Sequence, residues 1–262
     1  MQNTNLVTRF APAITAHRGG PFLAGDTRSA LSLHDDGRLS VVWAPFDHIA
    51  AEARLVVVGI TPGAQQAENA FQAFRAALQA GMSPAEASRQ AKLTGAFSGP
   101  MREQLIAMLD HVGAHRLLGV ESCAGLFAPG RGLVHLTSAL RHPVFVDGAN
   151  YNGTPDMLRT PALRRMVETH LAEEARALSH ALWLPLGPKP AAALQHLARL
   201  GLLHPERILG GLPHPSGANR ERVNFFLGRK ARETLSAKTR PDVIDAARER
   251  LCAQIARVPA FG

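Results

Sequence analysis

Apolar and polar positions along the chain alternate between two periods. The run ARLVVVGI, residues 53–60, is continuous, β-branched and closed by glycine, which predicts a buried central strand. GLVHLTSAL (132–140), HALWLPLG (180–187) and ERILGGLPHP (206–215) read as further strands, and LSVVWAPF (39–46) alternates enough for an edge strand. Helical spacing fills the intervals: 84–92 behind a Ser83 cap, 101–111, 161–179, 190–200, 219–230 and 241–256. Strands alternating with helices predict an α/β fold, a three-layer α/β/α sandwich around a central, mainly parallel sheet of about four to five strands. Ligands of such sheets bind at the carboxyl ends of the strands.

One domain over 1–262 is expected, with three appendages. Residues 1–38 read as a loop-rich N-terminal extension, and 240–258 as an amphipathic covering helix. Residues 66–95 form a helical insert, with Phe71, Phe74 and Leu78 at helical spacing. The stretch RHPVFVDGANYNGTPDMLRTP (141–161) has too many turn formers for a regular element, and long ordered loops inside a domain are usually functional.

Charge narrows the partners. Lys+Arg number 29 against 21 Asp+Glu, a net +8, which favours a polyanion such as DNA; an arginine-rich composition without function explains the same count. Aromatics are 5% of the chain, too few for a broad single-strand stacking surface. Cys123 and Cys252 are far apart and form no CxxC, which argues against a cysteine-ligated metal and fits a reducing cytoplasm. No run of apolar residues is long enough to span a membrane, and the N-terminus lacks the charged start and apolar core of a secretory signal. A cytoplasmic monomer without membrane, metal or organic cofactor is expected.

Two stretches stand out chemically. GITPG (59–63) ends the first central strand in a stiff, glycine-flanked turn, yet it is neither a dinucleotide fingerprint nor a P-loop. HPSGANR (214–220) holds His214 between Pro213 and Pro215, where the fixed φ of proline stiffens a loop that presents a histidine.

With these, AFSGP (96–100) opens a helix, HLTSAL lies on the second strand and LPLGPKP follows the third. The ordered set, from about residue 55 to 228, resembles the uracil-DNA glycosylase superfamily. HPSGANR is the strongest element, similar to the loop of the mismatch-specific and single-strand-selective branches; GITPG is similar to their GINPG turn, and AFSG to the PFVG of a thermophilic bacterial branch. The resemblance implies a monofunctional glycosylase that flips a base from DNA and hydrolyses its N-glycosidic bond, with uracil the default base. It implies that His214 donates a hydrogen bond to the departing base, that Thr61 holds the attacking water and that Phe97 stacks on the base. Ile60, Ser138, Asn150 and Asn152 fall among the base-contacting positions. Gly63, Lys189, Ser216, Gly217, Ala218 and Arg220 would hold the DNA backbone of a duplex or single strand. No lysine is placed for a Schiff base.

Two positions depart from the pattern. Thr61 stands where many branches carry Asp or Asn, and a hydroxyl orients a water but is a poor base. Gln65, Gln66 and Glu68 just downstream are candidates for help, though each reads better as an ordinary helix or loop residue. Ser138 stands where several branches carry the Asn that reads the uracil edge, and serine lacks that paired donor and acceptor. Asn150, Tyr151 or Asn152 could compensate, or could simply be turn residues. The departures leave open a non-catalytic binder of damaged or modified DNA, and a small-molecule nucleoside hydrolase stands as a third class.

Overall fold

The computed structural model describes residues 6–95, 100–128 and 131–258. In chain order come α1 (Leu6–Ala16), α2 (Gly25–Ala30), β1 (Ser32–Asp35), β2 (Leu39–Val42) and β3 (Leu55–Gly59). Then follow α3 (Ala64–Gln79), α4 (Pro84–Gly95), α5 (Pro100–His111), α6 (Ala114–Leu117), β4 (Val134–Ser138), β5 (Val144–Val146) and β6 (Ala149–Asn150). The rest is α7 (Pro161–Met166), a π turn (Val167–Leu171), α8 (Ala172–Ala177), β7 (Leu182–Pro185), α9 (Pro188–Arg199), α10 (Arg220–Phe226) and α11 (Pro241–Arg257). The chain is mixed α/β and divides into two compact units. The first takes residues 1–49, 60–96 and 137–173, the second 50–59, 97–136 and 174–262.

The second unit is built on the sheet β4–β3–β7, although the last two residues of β4 belong to the first unit. β3 pairs parallel with β7, from Leu55 opposite Leu182 to Val58 opposite Pro185. Leu55, Val56, Val57 and Val58 are buried, as a continuous β-branched run requires of a strand covered on both faces. Leu105, Met108 and Leu109 of α5 and Leu251 and Ile255 of α11 share a core with β3, β7 and Phe226 of α10.

This sheet is smaller than the expected four to five strands. The segment read as a fourth strand, 206–215, contributes one parallel bridge, Ile208 to Trp183. Gln254 of α11 donates to the carbonyls of Glu206 and Ile208, and the backbone turns away at Gly211, where φ is +119°. A Cβ on Gly211 would lie 2.9 Å from Ala247 Cβ, so glycine is what lets this segment lie against α11. Gly211→Ala is expected to lower stability by about 1–3 kcal/mol, read as a lower urea midpoint at an unchanged slope. An unchanged midpoint would show that α11 yields freely.

The first unit holds an antiparallel sheet, β1–β2–β5–β6. The strand read as an edge of the parallel sheet is β2, paired here with β1 and β5. Residues 6–38, expected to be loop-rich, instead hold α1, which buries Val7, Phe10 and Ile14, followed by α2 and β1. The stretch 141–161 contains a hairpin in which Asp147 (φ 50°) and Gly148 (φ 76°) join β5 to β6, the left-handed pair that a tight hairpin turn demands. Phe71 and Phe74 of α3 are fully buried against Trp43, so α3 is part of this core. Ser83 and Glu86 cap α4 reciprocally, Ser83 Oγ accepting from Glu86 N and Glu86 Oε2 accepting from Ser83 N.

Candidate active site

In the first unit the GITPG turn is tied to the segments that follow β4. Leu140 N–H donates to the Ile60 carbonyl at 3.0 Å, which sets the turn beside the chain two residues past Ser138. Thr61 Oγ1 donates to the His142 carbonyl at 3.0 Å. With its proton so engaged, the hydroxyl offers lone pairs only, and a water can donate to them. Asn150 Oδ1 accepts from Ala64 N at 3.0 Å and caps α3, with Nδ2 over Gly63. Gly63 N–H donates to Gln66 Oε1. Asn152 accepts from Thr154 N in a local turn, and Tyr151 is buried with its hydroxyl on the Pro155 carbonyl, so both are built into the loop itself.

The downstream helpers are likewise engaged. Glu68 takes the backbone N–H groups of Phe22 and Leu23, and Gln65 bonds Asn69.

Behind Thr61 lies a buried polar cluster. His142 is fully buried, with Nε2 4.0 Å from Asp47 Oδ1 and its ring edge-on to His170. Asp47 accepts from Trp43 Nε1 at 3.0 Å. Buried Arg141 reaches Glu173 at 3.1 Å and the His170 carbonyl at 2.9 Å, inside the π turn where the ordinary helical bonding is shifted.

Burial raises the Asp47 carboxyl from 3.8 to about 6 against the opposing pull of Arg141 and Lys92. The folded protein therefore keeps a proton that the unfolded chain releases. This contribution to stability is complete below the unfolded value and is lost as pH rises through about 6. Asp47→Asn is expected to gain up to about 3 kcal/mol on the wild type between pH 4 and 7, checked by urea melts across that range. Parallel curves for the two proteins would refute the assignment.

In the second unit the histidine loop has its own geometry. Ser216 N–H donates to His214 Nδ1 at 3.2 Å. That bond makes Nδ1 an acceptor, so the neutral ring carries its proton on Nε2. Partial burial lowers the His214 pKa below 6.5, which keeps the ring neutral at pH 7. Ser216 Oγ accepts from Asn219 Nδ2, and Arg222 holds Asn219 Oδ1 at 2.7 Å. Gly217 and Ala218 are exposed in the 3₁₀ turn that opens α10, Arg220 is exposed at the start of α10, and Lys189 is half-buried at the second position of α9. Glu221 of α10 accepts from Lys230, Ser236 and Thr239, which anchors the helix behind the loop.

The structure thus joins Ile60, Thr61, Gly63 and Asn150 in the first unit, and His214, Ser216 and their turn in the second. Ser138 is half-buried at the last position of β4. Phe97 lies outside the described residues.

The chain is 33% identical over 221 residues to the Bacillus subtilis (strain 168) protein described as uncharacterized protein YoxB, covering 83% of this chain and 86% of that protein. The chain belongs to the YoxB family. No family model matches it, and no solved structure matches it.

In this YoxB-family chain the residues that sequence reading missed are Asp47, Arg141, His142 and His170. A signal existed: Arg141 and His142 stand between two apolar strand segments, where charge is costly unless paired. Among the described residues there is no group of three or more His, Cys, Asp or Glu that could hold a metal, and no helix long and apolar enough to cross a membrane.

Proposed function

We propose that this protein is a monofunctional DNA N-glycosylase of the uracil-DNA glycosylase type, acting in base-excision repair, and that its sheet and helices form the three-layer sandwich of that superfamily. The observation that carries the reading is the tautomer of His214: a neutral ring whose Nε2 proton is directed by the Ser216 N–H on Nδ1. A donor set in advance against charge that grows only as the bond breaks is the largest lever available to such a reaction.

In the reaction a water oxygen bonds to C1′ as the C1′–N bond breaks. The bonding pair leaves with the base, whose oxygen takes the His214 hydrogen bond. Thr61 Oγ1 accepts from the water, and the proton the water gives up passes to solvent. Thr61 orients and does not deprotonate, so the leaving base supplies most of the drive. The net +8 charge supports DNA as the partner, and Arg220, Lys189 and the exposed Gly217–Ala218 turn suit its phosphates.

Single-turnover assays on labelled oligonucleotides test this, each carrying uracil opposite G or A, uracil in single strand, hypoxanthine, xanthine or a hydroxymethylated pyrimidine. An abasic product is the expected result. Duplex binding with no base released from any of them would replace the enzyme with a non-catalytic binder of damaged DNA.

A further inference from the structure

A cleft of about 650 Å³ in the second unit is used by none of the roles above. Three segments build it. Helix α9 contributes Ala191, Gln195, Ala198 and Arg199, which share one face by their spacing. The segment after α9 contributes Pro205, Ile208, Gly210 and Gly211, and α11 contributes Arg250 and Gln254, one turn apart.

Its chemistry is one-sided. Arg199 and Arg250 are exposed, and neither guanidinium has a hydrogen bond or ion pair among the described residues. No carboxylate side chain lines the cleft. Elsewhere in this unit arginines are paired: Arg248 of α11 bonds Asp245, and Arg232 in the turn before α11 bonds Asp242 and Asp245. Both amide protons of Gln254 go to backbone carbonyls, so its oxygen is left as an acceptor. Ala191, Ala198, Pro205 and Ile208 supply an apolar wall. The volume lies within the range of small-ligand sites and exceeds the needs of a lone anion.

We propose that this cleft binds a phosphorylated ligand of nucleotide size, with Arg199 and Arg250 on the phosphate and the apolar wall against the base. Guanidinium groups suit this because they bind phosphate through two parallel hydrogen bonds. The phosphate can belong to a free mononucleotide or to a nucleotide unit of a DNA strand, and the second source rests on the reading under Proposed function.

The test uses the full chain and the Arg199→Ala/Arg250→Ala variant. Arg240→Ala/Arg257→Ala, exposed residues on either end of α11, removes equal charge outside the cleft. Thermal melts check that all three are folded, and titrations use adenosine 5′-monophosphate and a labelled 20-mer duplex. A tenfold or greater loss of mononucleotide affinity in the cleft variant alone supports a free ligand. A tenfold loss for the duplex beyond that of the control variant, with the salt slope reduced by about 2, supports a DNA strand. Unchanged binding of both probes, or equal losses in the two variants, overturns the proposal. Base release is scored separately with His214→Ala, so a failure of the glycosylase reading leaves the mononucleotide result standing.

Discussion

On the proposed glycosylase function, His214→Ala is expected to lower the single-turnover excision rate by about 10²–10³-fold while the affinity for the same duplex changes less than threefold. The asymmetry follows from when the hydrogen bond matters. The base oxygen is weakly charged in the ground state and strongly charged as the bond breaks, so a neutral donor contributes mainly to the second. The acid limb of the rate profile provides an independent check. Burial places the His214 pKa below 6.5, so the ring stays neutral as pH falls through the ordinary histidine range. Below the lowered value Nδ1 gains a proton and faces the Ser216 N–H donor to donor, and the loop loses its geometry. The expected profile is therefore flat through pH 6.5 with its acid limb lower. A limb at or above 6.5 that disappears in His214→Ala would mean that the ring works charged. A large loss of duplex affinity in the variant would give His214 a binding role instead.

The central strands were legible because their cause is local. A run such as Leu55–Val58 has no solvent face in any arrangement, so its burial is written in composition. Pairing is not local, and composition carries little trace of it. Nothing in LSVVWAPF distinguishes an edge of a parallel sheet from the middle of an antiparallel one, because the partner, β5, lies about a hundred residues away. The Asp147–Gly148 turn was a missed signal of the legible kind, since Asp-Gly between apolar residues is the strongest short-range mark of a hairpin. Strand character at 206–211 is weaker than its composition suggests, because the left-handed φ of Gly211 turns that segment against α11.

The site divides the same way. His214 between two prolines announces a held loop, and the hydrogen bond from Ser216 two residues on is a local consequence. The Thr61 partner could not be foreseen, because it is a backbone carbonyl from His142 and carbonyls leave no trace in sequence. Asn150 was noticed for its amide, but its task at the start of α3 depends on the hairpin that carries it. Asp47 and His142 are about 95 residues apart in the chain, and only the fold turns two unremarked polar residues into a buried cluster.

Glu174→Leu is expected to destabilise the fold by about 3–5 kcal/mol, more than any surface change. Glu174 on α8 has no exposed side-chain area and lies with Oε2 3.5 Å from Nε2 of His135 on β4, itself 1% exposed. Ala50 N–H donates to His135 Nδ1 at 3.3 Å, which leaves the Nε2 proton facing the carboxyl group. Removing one member takes a close partner from the other in a site closed to water, and the penalty is the loss of that pairing where water cannot replace it. The paired variant separates this from lost packing. His135→Leu/Glu174→Leu removes both polar groups, and its loss is expected to fall at least 2 kcal/mol short of the sum of the two single losses. Additive losses in urea melts would show that the two side chains are held independently. His135 lies three residues before Ser138 on the same strand, and on the proposed function the single variants are expected to slow base release only in proportion to lost folded protein. A rate deficit that persists per folded molecule would instead place the pair among the groups that position the end of β4.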